Sequence, residues 1–212
     1  MSQANSKTER FYVEQLAKQL NSLPGYKAYC HRRPIGSKPL REYLAKRIGF
    51  SPILQPELDL VVRTPEGKFC AIEVKYFRRK SGYYTTPYYL GIGQALALAG
   101  FGFDHVGLWY LFEDEDMEFV PDQHGSSAWI LVRKKLRLPM EFSFFAIRRE
   151  SGEVSFDVMT YKGEQGSRKL IPLNSPRFLI TWKNPNPLID QSPAKEIREA
   201  LDLWIDGNLP KE

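Results

Sequence analysis

Pro56-Glu57-Leu58-Asp59-Leu60-Val61-Val62 and Ala71-Ile72-Glu73-Val74-Lys75 are the two stretches that decide how this chain reads. Each is a short apolar run broken by charge. Thirteen residues separate Asp59 from Glu73, and Pro65-Glu66-Gly67 lies between them as a turn signal. The pattern predicts a hairpin of strands over 57–64 and 68–77. Side chains alternate faces along a strand. Glu57, Asp59, Val61 and Arg63 therefore share one face, and Ala71, Glu73 and Lys75 share one face of the partner. Folding at the turn brings Asp59, Glu73 and Lys75 to one end of the hairpin.

Ionised groups on half-buried strands need partners. The simplest arrangement is a surface hairpin with a Glu–Lys cross-strand pair, worth about 0.2–1 kcal/mol. The other is a site. Two neighbouring carboxylates repel, and a divalent cation removes that cost. All-oxygen ligands suit Mg²⁺ or Mn²⁺. Such an ion polarises a phosphate and acidifies a water, while Lys75 is placed to orient that water or offset developing charge.

At these residues the chain resembles the PD-(D/E)xK nuclease superfamily, with its restriction-endonuclease-like fold, and within it the archaeal Holliday junction resolvases. The resemblance rests on Glu14-Gln15-Leu16-Ala17, Gly25-Tyr26, Leu58-Asp59-Leu60-Val61 and Phe69-Cys70-Ala71-Ile72-Glu73-Val74-Lys75, and spans residues 7–112. It implies that Asp59 and Glu73 bind the metal, with the Val74 carbonyl as a further ligand. It implies that Lys75 is the catalytic lysine and that Glu14, on a first helix, completes the site. Some members carry a glutamine near the active site on the helix that Gln94 occupies here, although Leu98 stands where a tyrosine usually follows. Gln94 is thus read either as a site residue or as a satisfied core amide. The chain departs from the resolvases in an insertion at about 34–55 and in about a hundred residues after the fourth core strand.

The fold expected is α/β: an αβββαβ core with a mixed central sheet flanked by helices, over 1–140, and a β-rich extension with a final helix over 141–212, packed on the core. Helix 1 is predicted from about Lys7 to Ser22, with Phe11, Leu16, Leu20 and Leu23 as its apolar stripe. Glu9 and Glu14 are five positions apart, about 140° around the axis, and cannot point one way. Glu9 is read as an early-turn residue complementing the helix dipole. A strand follows at Tyr26–Arg32, then a turn-rich segment, then a basic helix over Leu40–Ile48 ending at Gly49. A nearly all-apolar helix is expected over Tyr88–Ala99, buried on the sheet, and a strand over His105–Phe112, with His105 at the surface or as a cap. Residues 127–136 fit helix or strand. Met140–Arg148, Val154–Tyr161 and Arg177–Trp182 read as strands. Ser192-Pro193 caps a helix over Ala194–Ile205.

The net charge of +5 is unevenly placed. Residues 27–48 hold seven Lys or Arg against Glu42 alone, and Lys75, Arg78, Arg79 and Lys80 follow. Arg133, Lys134, Lys135 and Arg137 form a third block, and Glu113-Asp114-Glu115-Asp116 an acidic one. Basic flanks around the catalytic strands suit a polyanion, although charged clusters also serve as solvated faces or ion-pair networks. Arg32, Arg33, Lys38, Arg78, Arg79 and Lys80 are the expected DNA contacts. Tyr83 and Tyr84 are the aromatics placed to stack on bases or to cover a core edge.

A chain of 212 residues with 42% hydrophobic and 13% aromatic residues is rich enough to bury a core. No apolar run suggests a membrane span, and the N-terminus lacks a signal-peptide pattern. Two cysteines and three histidines weigh against a disulfide framework or a zinc cluster and predict a cytoplasmic location. The function expected is a Mg²⁺- or Mn²⁺-dependent DNA endonuclease leaving 5′-phosphate and 3′-hydroxyl ends, as the family does, acting as a homodimer. The alternatives are a nucleic-acid-binding module that keeps the fold without cutting, and a structural protein whose hairpin charges pair.

Overall fold

The computed structural model describes residues 8–54, 57–80, 83–84, 87–113, 126–162, 167–175 and 184–210. The chain is α/β. Helix α1 spans Glu9–Asn21 and is capped by Thr8, whose hydroxyl accepts the Phe11 N–H. Strand β1 covers Lys27–Arg32, and a 3₁₀ turn at Pro34–Gly36 leads to α2, Lys38–Ile48. The Ser37 hydroxyl caps α2, and Gly49 ends it at φ 78°, a left-handed conformation. Strands β2, Leu58–Arg63, and β3, Phe69–Phe77, form the expected hairpin. A small ladder of β4, Arg79–Lys80, and β5, Tyr83–Tyr84, follows.

Helix α3 covers Ile92–Ala99 and starts later than its apolar sequence predicts. The reason is a contact distant in sequence. The Tyr110 hydroxyl lies 2.5 Å from the Tyr88 carbonyl and 2.9 Å from that of Leu90, which holds 88–90 as a turn. Gly91 then takes φ 86°. Strand β6, His105–Glu113, runs parallel to β3. His105 is buried, not at the surface, because β6 is covered on both faces; its Nδ1 lies 3.1 Å from the Asn184 carbonyl. Residues 126–135 are helical, with α4 at Ser126–Trp129 continuing in wider turns to Lys135.

Strands β7, Glu141–Glu150, and β8, Glu153–Lys162, form a hairpin, and β9, Ser167–Pro172, an element the pattern did not suggest, pairs with β8. The strand expected at Arg177–Trp182 lies outside the described residues. Helix α5 covers Ala194–Ile205 as expected, but Pro193 occupies the N-cap with no side-chain cap bond, so Ser192 does not cap it.

Among the described residues, seven strands form one sheet in the order β1-β2-β3-β6-β7-β8-β9. It is mixed: β3–β6 and β6–β7 are parallel and the remaining pairs antiparallel. The C-terminal strands thus continue the sheet that carries the β2–β3 hairpin. One face packs on α1, where Tyr12, Val13, Leu16 and Leu20 meet Leu60, Val62, Ile72, Val74, Trp109 and Leu111. The other face packs on α2, α3 and α5 through Leu44, Ala95, Leu98 and Leu201. No described helix is long and apolar enough to cross a membrane.

Candidate active site

The β2–β3 ladder is regular from Arg63↔Phe69 to Leu60↔Ile72 and then opens. The next row would set Asp59 opposite Glu73. Instead, an Asp59 carboxylate oxygen accepts the Val74 N–H at 3.0 Å, so a side chain replaces the strand partner there. The opening admits a third carboxylate from the other face. Glu9, in the first turn of α1, accepts the Tyr76 N–H at 2.9 Å.

Lys75 Nζ lies among all three acids, 2.5 Å from Glu73 Oε1, 3.6 Å from Glu9 Oε1 and 3.9 Å from Asp59 Oδ2. The structure therefore brings together Asp59, Glu73 and Lys75, as the period-two alternation predicts. Lys75 and Glu73 are buried and the Asp59 side chain is 17% exposed. Burial raises the Asp59 carboxyl above its ordinary value, against the Val74 N–H and Lys75, which pull it down. Burial and the charge of Asp59 push Glu73 up to about 8 despite the adjacent ammonium. Lys75 moves the other way from a lone buried amine. Burial would lower it, but Glu73, Glu9 and Asp59 together hold it above its usual range.

Glu14 is not part of this group. Its side chain is 47% exposed, 3.4 Å from Arg10 and 4.0 Å from His31 Nε2. The helical position expected for it is held by Glu9, which sits one turn before Tyr12 and Val13 on the buried stripe. That stripe is Glu9-Tyr12-Val13-Leu16-Leu20, and the i, i+3, i+4 spacing was the signal that could have identified Glu9. Gln94 is exposed, so it is not a core amide. What α3 does bring to the site is Gly91. A Cβ there would stand 3.0 Å from Lys75 Cγ and 2.9 Å from Leu108 Cδ1, so the helix start rests directly on the lysine stem.

His31 is a second residue that the sequence did not signal. It faces Asp59 in the β1–β2 ladder, between the pairs Cys30↔Leu60 and Arg32↔Leu58. Its backbone is left-handed at φ 51°, unusual for a residue with a side chain. Its Nδ1 is 3.8 Å from Glu57.

Arg32, Arg33, Lys38 and Arg78 are exposed. Arg33 pairs with Glu57 at 2.6 Å and Lys38 with Glu42 at 3.6 Å. The backbones of Arg79 and Lys80 pair with those of Tyr84 and Tyr83 in the β4–β5 ladder; the side chains of these four, like residues 114–118 of the acidic run, lie outside what is described.

A cation's fit to this site can be judged from the donors. Glu73 has two buried oxygens; one touches the Lys75 ammonium and Oε2 has no hydrogen-bond partner among the described residues. Such an orphaned carboxylate is costly unless a proton or a cation meets it. With Asp59 and Glu9 it makes an all-oxygen set of the kind hard divalent ions take. As the side chains stand, no three His, Cys, Asp or Glu among the described residues group closely enough to hold a metal, because the ammonium occupies the middle. The chain matches no family model, and no curated protein matches it.

Proposed function

We propose that this protein is a metal-dependent DNA endonuclease on a restriction-endonuclease-like core, hydrolysing phosphodiesters to a 5′-phosphate and a 3′-hydroxyl. The observation that carries the reading is the Lys75 ammonium within 4 Å of three carboxylates, one of them buried with an oxygen that has no hydrogen-bond partner among the described residues. The element order α1-β1-β2-β3-α3-β6, with β3 parallel to β6 and α2 inserted, agrees with that core. Exposed Arg32, Arg33, Lys38 and Arg78 suit a polyanionic substrate. The free thiols Cys30 and Cys70 suit a reducing, cytoplasmic setting.

Asp59, Glu73, Glu9 and the Val74 carbonyl would hold Mg²⁺ or Mn²⁺. Such an ion supplies a polarised phosphate and a more acidic water. Lys75 orients the attacking water and offsets charge gathering on the phosphate oxygens. Attack is in line and the 3′ oxygen leaves. A homodimer would set two such sites on one duplex.

The test uses purified protein with linear, single-stranded, flapped and four-way-junction DNA in Mg²⁺ or Mn²⁺. Cleavage by the native protein, lost on Asp59→Ala, Glu73→Ala or Lys75→Ala with the fold retained, supports the reading. Binding without cleavage in Ca²⁺ agrees with it, and undiminished cleavage by Lys75→Ala rules it out.

One observation favours a second reading. The Lys75 ammonium lies 2.5 Å from Glu73 Oε1 and offsets that carboxylate's charge without a cation, which suits a nucleic-acid-binding module that keeps the fold without cutting. That module would shift DNA with steep salt dependence and give no products.

A further inference from the structure

On the α1 face of the sheet, beside the candidate site, three side chains from three elements converge on one oxygen of a fourth. Glu113 Oε1, at the end of β6, accepts the Tyr12 hydroxyl at 2.9 Å, the Tyr76 hydroxyl at 2.6 Å and an Arg149 N–H at 2.6 Å. Arg149, on β7, also donates to the Tyr12 hydroxyl and lies over that ring. The Tyr12 and Tyr76 rings pack at 4.7 Å.

Each tyrosine is adjacent to Glu9 by a different route. Tyr12 lies three residues along α1, and Tyr76 gives Glu9 its own N–H. Packing alone needs no hydroxyls here. Phenylalanine would fill the same space, and a carboxylate held by three donors is an expensive way to dock a helix. What the hydroxyls add is a fixed rotation of α1 about its axis. At a radius of about 6 Å, a turn of about 15° about that axis would move a carboxylate by about 1.5 Å. Misplacement of about 1 Å can cost about a hundredfold in rate.

We propose that Glu113 and Arg149 are positioning residues which, through Tyr12 and Tyr76, lock the rotation of α1 and so hold Glu9 against Lys75. Through Arg149, the strands beyond the core help to set the site. The inference deepens the nuclease reading and rests on it, since the lock affects chemistry only where Glu9 serves the site.

The experiment compares full-length Glu113→Gln, Tyr76→Phe, Arg149→Met and Arg149→Lys with native protein and with Glu9→Gln. It measures kcat and KM for DNA with Mn²⁺, Mn²⁺ affinity by calorimetry, and Tm. Arg148→Met, which breaks the neighbouring 2.7 Å pair with Asp157, is the stability control. Glu113→Gln and Tyr76→Phe should lower kcat about tenfold to a hundredfold with KM unchanged, and weaken Mn²⁺. Arg149→Lys should recover part of what Arg149→Met loses. Adding Glu113→Gln to Glu9→Gln should change nothing further. Arg148→Met should lower Tm alone.

The lock is overturned if Glu113→Gln and Tyr76→Phe lower Tm like the control yet leave kcat and Mn²⁺ affinity intact. It is overturned equally if Glu113→Gln adds its full effect to Glu9→Gln. In those cases Glu9-dependent cleavage persists and the nuclease reading stands. Native protein that neither binds Mn²⁺ nor cleaves DNA overturns both.

Discussion

Glu73 has the highest charge cost in the site. Burial and Asp59 push its carboxyl up to about 8. A folded-state value above the unfolded one means that the unfolded chain loses its proton first as pH rises. The folded state is therefore favoured at low pH and loses that stability between about pH 4.5 and about pH 8. Metal-free protein should show a Tm that falls across this window, and Glu73→Gln should flatten the fall. Since a cation needs the carboxylate ionised, loading near neutral pH should release about one proton, read by calorimetry in buffers of different ionisation heat. Asp59, Glu73 and Lys75 were legible in the sequence because strand alternation is local and fixed. Glu9 was legible only as a member of the Tyr12-Val13-Leu16-Leu20 stripe; its reach to Lys75 depends on how Tyr12, Val13 and Leu16 bury on strands distant in sequence.

At the level of elements, the start of α3 and the open end of the β2–β3 ladder set the geometry. Gly91 has φ 86° and no room for a methyl group beside Lys75 and Leu108. Gly91→Ala should cost about 1–3 kcal/mol in urea denaturation. It should also slow cleavage more than Gly93→Ala, a helical position with open space. The Val74 amide, held by Asp59 instead of a strand, should change its NMR shift on Mg²⁺ titration, while the Ile72 amide in the regular ladder should not. Helix and strand identities from α1 to β6, apart from the short β4–β5 ladder, followed from periodicity and from Gly and Pro punctuation. The late start of α3 did not, because it depends on the Tyr110 hydroxyl meeting carbonyls some twenty residues earlier. Likewise, alternation identified β7 and β8 as strands but carried no sign that β7 would lie parallel to β6.

For the whole molecule, charge and closure matter most. If Arg32, Arg33, Lys38 and Arg78 all contact phosphates, log affinity for DNA should fall with log salt at a slope of about −3 to −4. Replacing Arg32 and Lys38 with alanine should reduce that slope by about 2, measured by fluorescence anisotropy. Closure comes from α5, which packs on α2 and receives Arg63 through Asp202 at 2.7 Å and Asp206 at 2.5 Å, and Arg47 through Glu199. These acids are partly exposed, so Arg63→Ala should cost only about 1–2 kcal/mol. This return path has a consequence during synthesis. The ribosome makes residues 194–205 after everything they cover, so a nascent chain that has not reached them leaves the apolar side of α2 bare. The hairpin bearing the acids then waits, half-clad, for a segment translated well over a hundred codons later, and the growing polypeptide should depend on chaperones until that segment emerges.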